Sequence, residues 1–115
     1  MRVTNGLSRH KRHKKVLKLA EGSWGTRHTS YRIARQTIIR AGEYAYRDRK
    51  NKKRDFRKLW IARINAAVRA NGYTYSQFMH QLNLHKVNVN RKMLSELAIN
   101  NPEDFKKLVE KVMTK

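Results

Sequence analysis

Residues 47–58 read Arg47-Asp48-Arg49-Lys50-Asn51-Lys52-Lys53-Arg54-Asp55-Phe56-Arg57-Lys58, and the turns that follow carry Leu59, Trp60, Ile64, Ala67 and Val68 before the chain reaches Asn71-Gly72. Eight cations and two carboxylates fall on those first twelve residues. The apolar set then recurs at helical spacing and ends at a C-cap pattern. Upstream, Tyr31, Ala34, Ile38, Ala41 and Ala45 keep to one face of a helix. Gly42 weakens that helix by about 1 kcal/mol relative to Ala without ending it. The spacing therefore predicts one long helix from about Thr26 to Asn71. At 1.5 Å per residue it would measure roughly 70 Å, too long to pack against so short a chain, so it is expected to lie along a partner.

Elements on either side follow from local signals. Gly22 and Gly25 bracket Ser23-Trp24 and mark a break, with a basic helix before it over about Arg9 to Ala20. Downstream, Thr74 and Gln77 form a capping-box pattern ahead of Phe78, Met79 and Leu82. Val87 and Val89 alternate like strand residues, but the segment is too brief for a sheet. Asn90 can cap a helix bearing Met93, Leu94, Leu97 and Ala98. Asn101 is expected as the N-cap of a last helix, with Pro102 at its first position and Glu103 and Asp104 in its first turn. Phe105, Leu108, Val109 and Val112 supply its apolar face. The fold expected is all-α, a long basic N-terminal helical extension followed by a small C-terminal bundle of short helices.

Composition divides the chain in the same place. Residues 1–58 hold 19 Lys or Arg, 4 acids and 18 apolar residues, and residues 59–115 hold 9, 4 and 27. The first part, 1–58, reads as an extension with too little apolar surface to offset its backbone entropy alone, and 59–115 as a globular helical domain. A net charge of +20 on 115 residues calls for a polyanion. With no Cys there is no disulfide, thiolate nucleophile or Cys-based metal site. No stretch approaches the ~18–20 apolar residues of a membrane span, and no N-terminal apolar run resembles a signal peptide. A cytoplasmic protein with no membrane partner is expected.

The run from Arg47 to Lys58 points its charges all round a helix, with Glu43 to Arg47 and Asp48 to Lys52 the available compensating pairs. Such a segment suits a helix threaded between nucleic-acid segments better than one lying on a single surface. Arg9, Lys11, Arg12, Lys14, Lys15 and Lys18 form a second cluster. His10 and His13 within it have no carboxylate or third ligand nearby, so they read as polar contacts to phosphate or 2′-OH and no metal is expected. Trp24, Tyr31, Tyr44 and Tyr46 are interleaved with arginines and either stack on unpaired bases or pack along a helix face. Phe56 and Trp60 are expected in the core of the C-terminal domain. The few scattered acids and the lack of any phosphate loop, His-Glu metal motif or serine elbow argue against an enzyme, a cofactor or a small-molecule substrate. A helix-turn-helix reader is disfavoured because Ser76 to Asn83 carries no Lys or Arg. A membrane-surface helix is disfavoured because Arg47 to Lys58 lacks an apolar face.

The run from Tyr44 to Ala67 closely resembles the signature stretch of a family, the twentieth protein of the bacterial large ribosomal subunit. Arg12-His13-Lys14-Lys15-Val16-Leu17-Lys18-Leu19-Ala20 leading into the Gly22 to Gly25 turn, Tyr75-Ser76, and Asn90 to Ala98 are similar to the same family, so the resemblance covers nearly the whole chain. Ser23 departs from the aromatic usual between the glycines, and Trp24 remains as the aromatic of that turn.

The resemblance implies a structural protein that binds 23S rRNA of the large subunit directly and joins early in assembly. It implies a helical arm penetrating the rRNA, a C-terminal domain at the particle surface and neighbouring large-subunit proteins as partners. Some members also repress their own operon by binding its mRNA. The RNA-binding residues on this reading are Arg2, Arg9, Lys11, Arg12, Lys14, Lys15, Lys18, Trp24, Arg27, Arg32, Arg35, Arg40, Arg47, Arg49, Lys50, Lys52, Lys53, Arg54, Arg57, Lys58, Arg63, Arg91 and Lys92. The alternative from another class is an architectural, histone-like DNA-binding protein.

Overall fold

The computed structural model of the chain describes residues 4–114. The elements are α1 (Gly6–Leu19), a 3-10 turn (Gly25–His28), α2 (Tyr31–Ala70), α3 (Tyr75–Leu84), α4 (Arg91–Asn100) and α5 (Pro102–Met113), with no strand among the described residues. The fold is all-α, with one long helix followed by shorter ones. Two compact units divide the chain, Met1–Lys50 and Asn51–Lys115, and the boundary falls inside α2.

The long helix starts at Tyr31, five residues later than the spacing predicts. The intervening residues form the 3-10 turn, and the Thr29 hydroxyl donates to the Thr26 carbonyl at 3.4 Å, a local alternative to the α ladder. The Thr26 carbonyl accepts the N–H groups of Thr29 (3.2 Å) and Ser30 (2.9 Å), and the continuous helix begins with the Ser30 carbonyl, bonded by Ala34 at 2.8 Å. Gly42 lies inside α2, which continues through it.

The second unit shows why its helices end where they do. At the end of α2 the Tyr73 N–H bonds back to the Val68 carbonyl (3.2 Å) and the Gly72 N–H to the Arg69 carbonyl (3.0 Å). This pairing needs a left-handed residue, supplied by Gly72 at φ +83°. The same motif closes α3, where Val87 bonds Leu82 (3.0 Å) and Lys86 bonds Asn83 (3.1 Å), but here the left-handed position is a lysine, Lys86 at φ 53°. The Thr74–Gln77 capping box forms in full, and the Asn90 side chain accepts the Met93 N–H at 2.8 Å. Asn101 occupies the N-cap of α5 but makes no side-chain cap bond. It also closes α4 through its own N–H to Leu97 (2.9 Å), and that double duty sets its backbone at ψ 71°, far from the 153° and 158° of Thr74 and Asn90 that aim a side chain at the following amides.

Ile64 and Val68 from α2, Phe78 and Leu82 from α3, Leu94 from α4, and Phe105, Val109 and Val112 from α5 form one buried core, all within the second unit. Phe78 and Phe105 meet with their rings tilted 56° and their centroids 5.8 Å apart. Each large apolar side chain so buried contributes about 1.5–3 kcal/mol. The first unit has only Ala20 and Ala34 as buried apolar residues among those described. Ala41 and Ala45 are exposed and Tyr31 and Ile38 half-buried, so the upstream stripe of α2 is largely uncovered.

Phe56 and Trp60 are not core residues as the sequence pattern predicts. Phe56 is 45% exposed and Trp60 half-buried, and Leu59 beside them is also exposed. Beside them α4 presents Lys92 and Glu96, and the part of α2 that enters the core begins one turn later at Ile64.

Candidate nucleic-acid interface

In the first unit α1 buries none of its residues, and its cations Arg9, Lys11, Arg12, Lys14, Lys15 and Lys18 are all exposed. His13 stacks on Tyr31 at 3.8 Å between centroids and 15° between planes, joining α1 to the first turn of α2. Tyr31 is thereby engaged within the protein, which favours packing over base stacking for that ring. Beside this pair lies a groove of about 620 Å³ lined by Arg9, Arg32, Arg35 and Arg40, with Gln36, Ile39 and Glu43. Glu43 pairs with Arg40 (2.9 Å) rather than with Arg47, so the groove wall keeps a large positive excess. Arg27, with Arg40 and Tyr44, lines a smaller concavity of the same unit.

Trp24 is 90% exposed, held out on a turn whose geometry is stapled from below. His28 Nδ1 donates to the Ser23 carbonyl (2.8 Å), the Ser23 N–H to Ala20 (3.2 Å), and Gly22 takes φ +85° to make the reversal. The indole therefore protrudes from an ordered support. Tyr44 and Tyr46 are exposed as well, and each carries a cation over its ring, Arg47 at 4.9 Å and Lys50 at 5.6 Å.

In the Arg47 to Lys58 run every residue but half-buried Asn51 is exposed. Asp48 binds the neighbouring Arg47 Nε at 2.8 Å instead of reaching Lys52. That hydrogen bond, with the charge of the carboxylate, raises the Arg47 pKa above its already high ordinary value. Asp55 approaches Lys58 at 4.0 Å. Surface pairs of this kind contribute about 0–1 kcal/mol and leave the cations available to phosphate.

Within the second unit α2 and α4 flank an open groove of about 930 Å³. Lys52, Lys53, Arg54, Arg57 and Arg63 come from α2 and Lys92 from α4, while Phe56, Leu59 and Trp60 make the apolar floor and Glu96 is the one acid. Arg91 lies elsewhere, half-buried, donating from Nε to the Tyr75 hydroxyl at 2.9 Å, with its other N–H groups left over. Arg2 lies outside the described residues. The meeting of Lys92 with the α2 cations, and the aromatic floor between them, were not foreseen from sequence. The one signal was that Phe56 follows Lys52 and Lys53 by four and three positions and that Trp60 has Arg57 and Arg63 three positions to either side. Among the described residues no group of His or acidic side chains is arranged to hold a metal, and no helix is long and apolar enough to cross a membrane.

Two units thus offer exposed cations beside exposed aromatic rings, an arrangement that can neutralise phosphates and stack on bases. A family model described as Ribosomal protein L20 matches residues 2–108. Similar proteins include "Large ribosomal subunit protein bL20" of Ureaplasma parvum serovar 3, 69% identical and aligned over 98% of this chain and 99% of the relative. The protein of the same name from Malacoplasma penetrans is 64% identical over the full length of both chains. That of Mycoplasma pneumoniae is 57% identical over 97% of this chain and 88% of its own.

Proposed function

The chain belongs to the ribosomal protein L20 family, and on that footing we propose that it is a structural constituent of the large ribosomal subunit that binds 23S rRNA directly and supports early subunit assembly. The observation that carries this reading is the uncovered cationic surface of α1 and α2, whose carboxylates are too few to neutralise it. A self-repelling surface of this kind is stabilised by a polyanion that releases counterions on binding. The division of labour proposed is rRNA binding by the extension, 1–58, and a globular role for the helical domain, 59–115, the division falling where the basic run ends at Lys58. The RNA contacts proposed are the exposed cations of α1 and α2 named above, with Trp24 and Arg27 from the turn between them, and Arg63, Arg91 and Lys92 from the second unit. Neighbouring large-subunit proteins are its further partners, its operon mRNA a second RNA, and the cytoplasm its location.

Crosslinking in growing cells, followed by sequencing of the attached nucleic acid, tests the proposal. Reads concentrated in 23S rRNA are expected, in a particle that ribonuclease disperses. Reads dominated by chromosomal DNA would overturn it in favour of an architectural DNA-binding role.

A further inference from the structure

The α2–α4 groove sets two adjacent aromatic side chains, Phe56 and Trp60, among six cations. Resting on the RNA-binding reading above, we propose that this groove holds an unpaired nucleotide of RNA, with its base stacked on Phe56 and its phosphates taken by Arg57, Arg63 and Lys92.

The charge of the walls selects an anion. Six cations line the groove against the single carboxylate of Glu96, which Lys92 approaches at 4.0 Å. Arg57 and Arg63 form no ion pair among the described residues, and their planar guanidinium groups match phosphate oxygens in pairs. A carboxylate of an acidic peptide would satisfy the walls as a phosphate does, so the choice of occupant rests on the floor.

The floor selects a base. Phe56 and Trp60 are tilted 36° with centroids 6.2 Å apart, already in contact, so nothing flat fits between them. Phe56 is 45% exposed, and that exposed surface is what remains for a ligand. In a duplex the faces of the bases are covered by their neighbours, and an aromatic floor adds nothing to phosphate binding. An unpaired nucleotide offers both a bare ring and a phosphate within one short segment. The groove, at about 930 Å³, has ample room for one.

The test uses the full chain with two labelled RNA probes, an oligouridine strand and a duplex carrying the same number of phosphates. Phe56→Leu keeps an apolar side chain at a position outside the core, and Phe56→Tyr keeps the ring. Phe56→Leu is expected to weaken oligouridine binding about tenfold and duplex binding by less than about twofold, with Phe56→Tyr close to wild type. An equal loss on both probes, or none on either, overturns the proposal and assigns the floor to a protein neighbour, while the RNA-binding reading stands. Failure of the wild-type chain to bind either probe overturns both. A second measurement is independent of any variant: photocrosslinking of 5-bromouridine-substituted oligouridine, with adducts mapped by mass spectrometry. Adducts at Phe56 or Trp60 are expected, and adducts confined to residues before Lys50 overturn the proposal.

Discussion

Lys86 and Gly72 occupy the same place in the same helix-ending motif, yet only one of them suits it. A side chain with a Cβ in the left-handed region costs about 1–2 kcal/mol, which glycine avoids. Lys86→Gly is therefore expected to raise the unfolding free energy by about 1 kcal/mol, and Gly72→Ala to lower it by a similar amount, both read from urea denaturation of the full chain. A loss of stability in Lys86→Gly would mean that the lysine side chain contributes more than its backbone costs. Ser95 is a second misfit, fully buried in α4 with its Oγ unpartnered among the described residues. A desolvated hydroxyl without a hydrogen bond costs about 1–3 kcal/mol, and alanine is the better helix former. Ser95→Ala should stabilise by about 1 kcal/mol. A melting temperature below wild type would show that the hydroxyl has a partner after all.

At the scale of the element, α2 is one helix with two energetic characters. Between Tyr31 and Lys50 only Ala34 is buried, whereas Ile64 and Val68 near its end belong to the core. Most helical stability in proteins comes from tertiary packing of an apolar face, so the two parts should open with different free energies. In the chain without RNA, amide exchange is expected to be slow over about 61–70 and in α3 to α5, and fast in α1 and over 31–50. Strong protection across Gly6–Leu19 in a verified monomer at moderate salt would contradict this. The caps of α3 and α4 were legible because a cap is a contact between residues three apart. The start of α2 was not, because the choice between a 3-10 turn and an α turn at Thr26 to Ser30 rests on carbonyl competition that apolar spacing does not record.

For the whole molecule the decisive quantity is charge, and its effect on binding is measurable as a salt dependence. Lys14, Lys15, Lys50 and Lys52 are all exposed and spread over both units. Replacing the four with glutamine keeps helix propensity nearly unchanged. If each contacts a phosphate, the log-log slope of RNA affinity against salt should flatten by about 3, at roughly 0.7–0.9 per contact. Affinity for 23S rRNA fragments and for unrelated RNA should fall by similar factors, since ammonium groups neutralise phosphate without reading sequence. An unchanged slope in a salt titration of both proteins would remove these lysines from the interface.

What the sequence determined by itself is the set of properties that depend on near neighbours along the chain or on simple totals. These are the helical class, the caps at Thr74 and Asn90, the break at Gly22 to Gly25, and the need for an anionic partner. Only the tertiary structure decided which part of the apolar stripe of α2 is covered. Helical periodicity tells which residues share a face, and it says nothing of how far the covering helices reach. The core residues of α2 start at Ile64, while beside Phe56 and Trp60 α4 offers Lys92 and Glu96 rather than an apolar lid. Phe56 therefore stands open among cations and Trp60 is only half-buried, because the residues that face them from α4 are charged and lie 32 to 40 positions away in the chain.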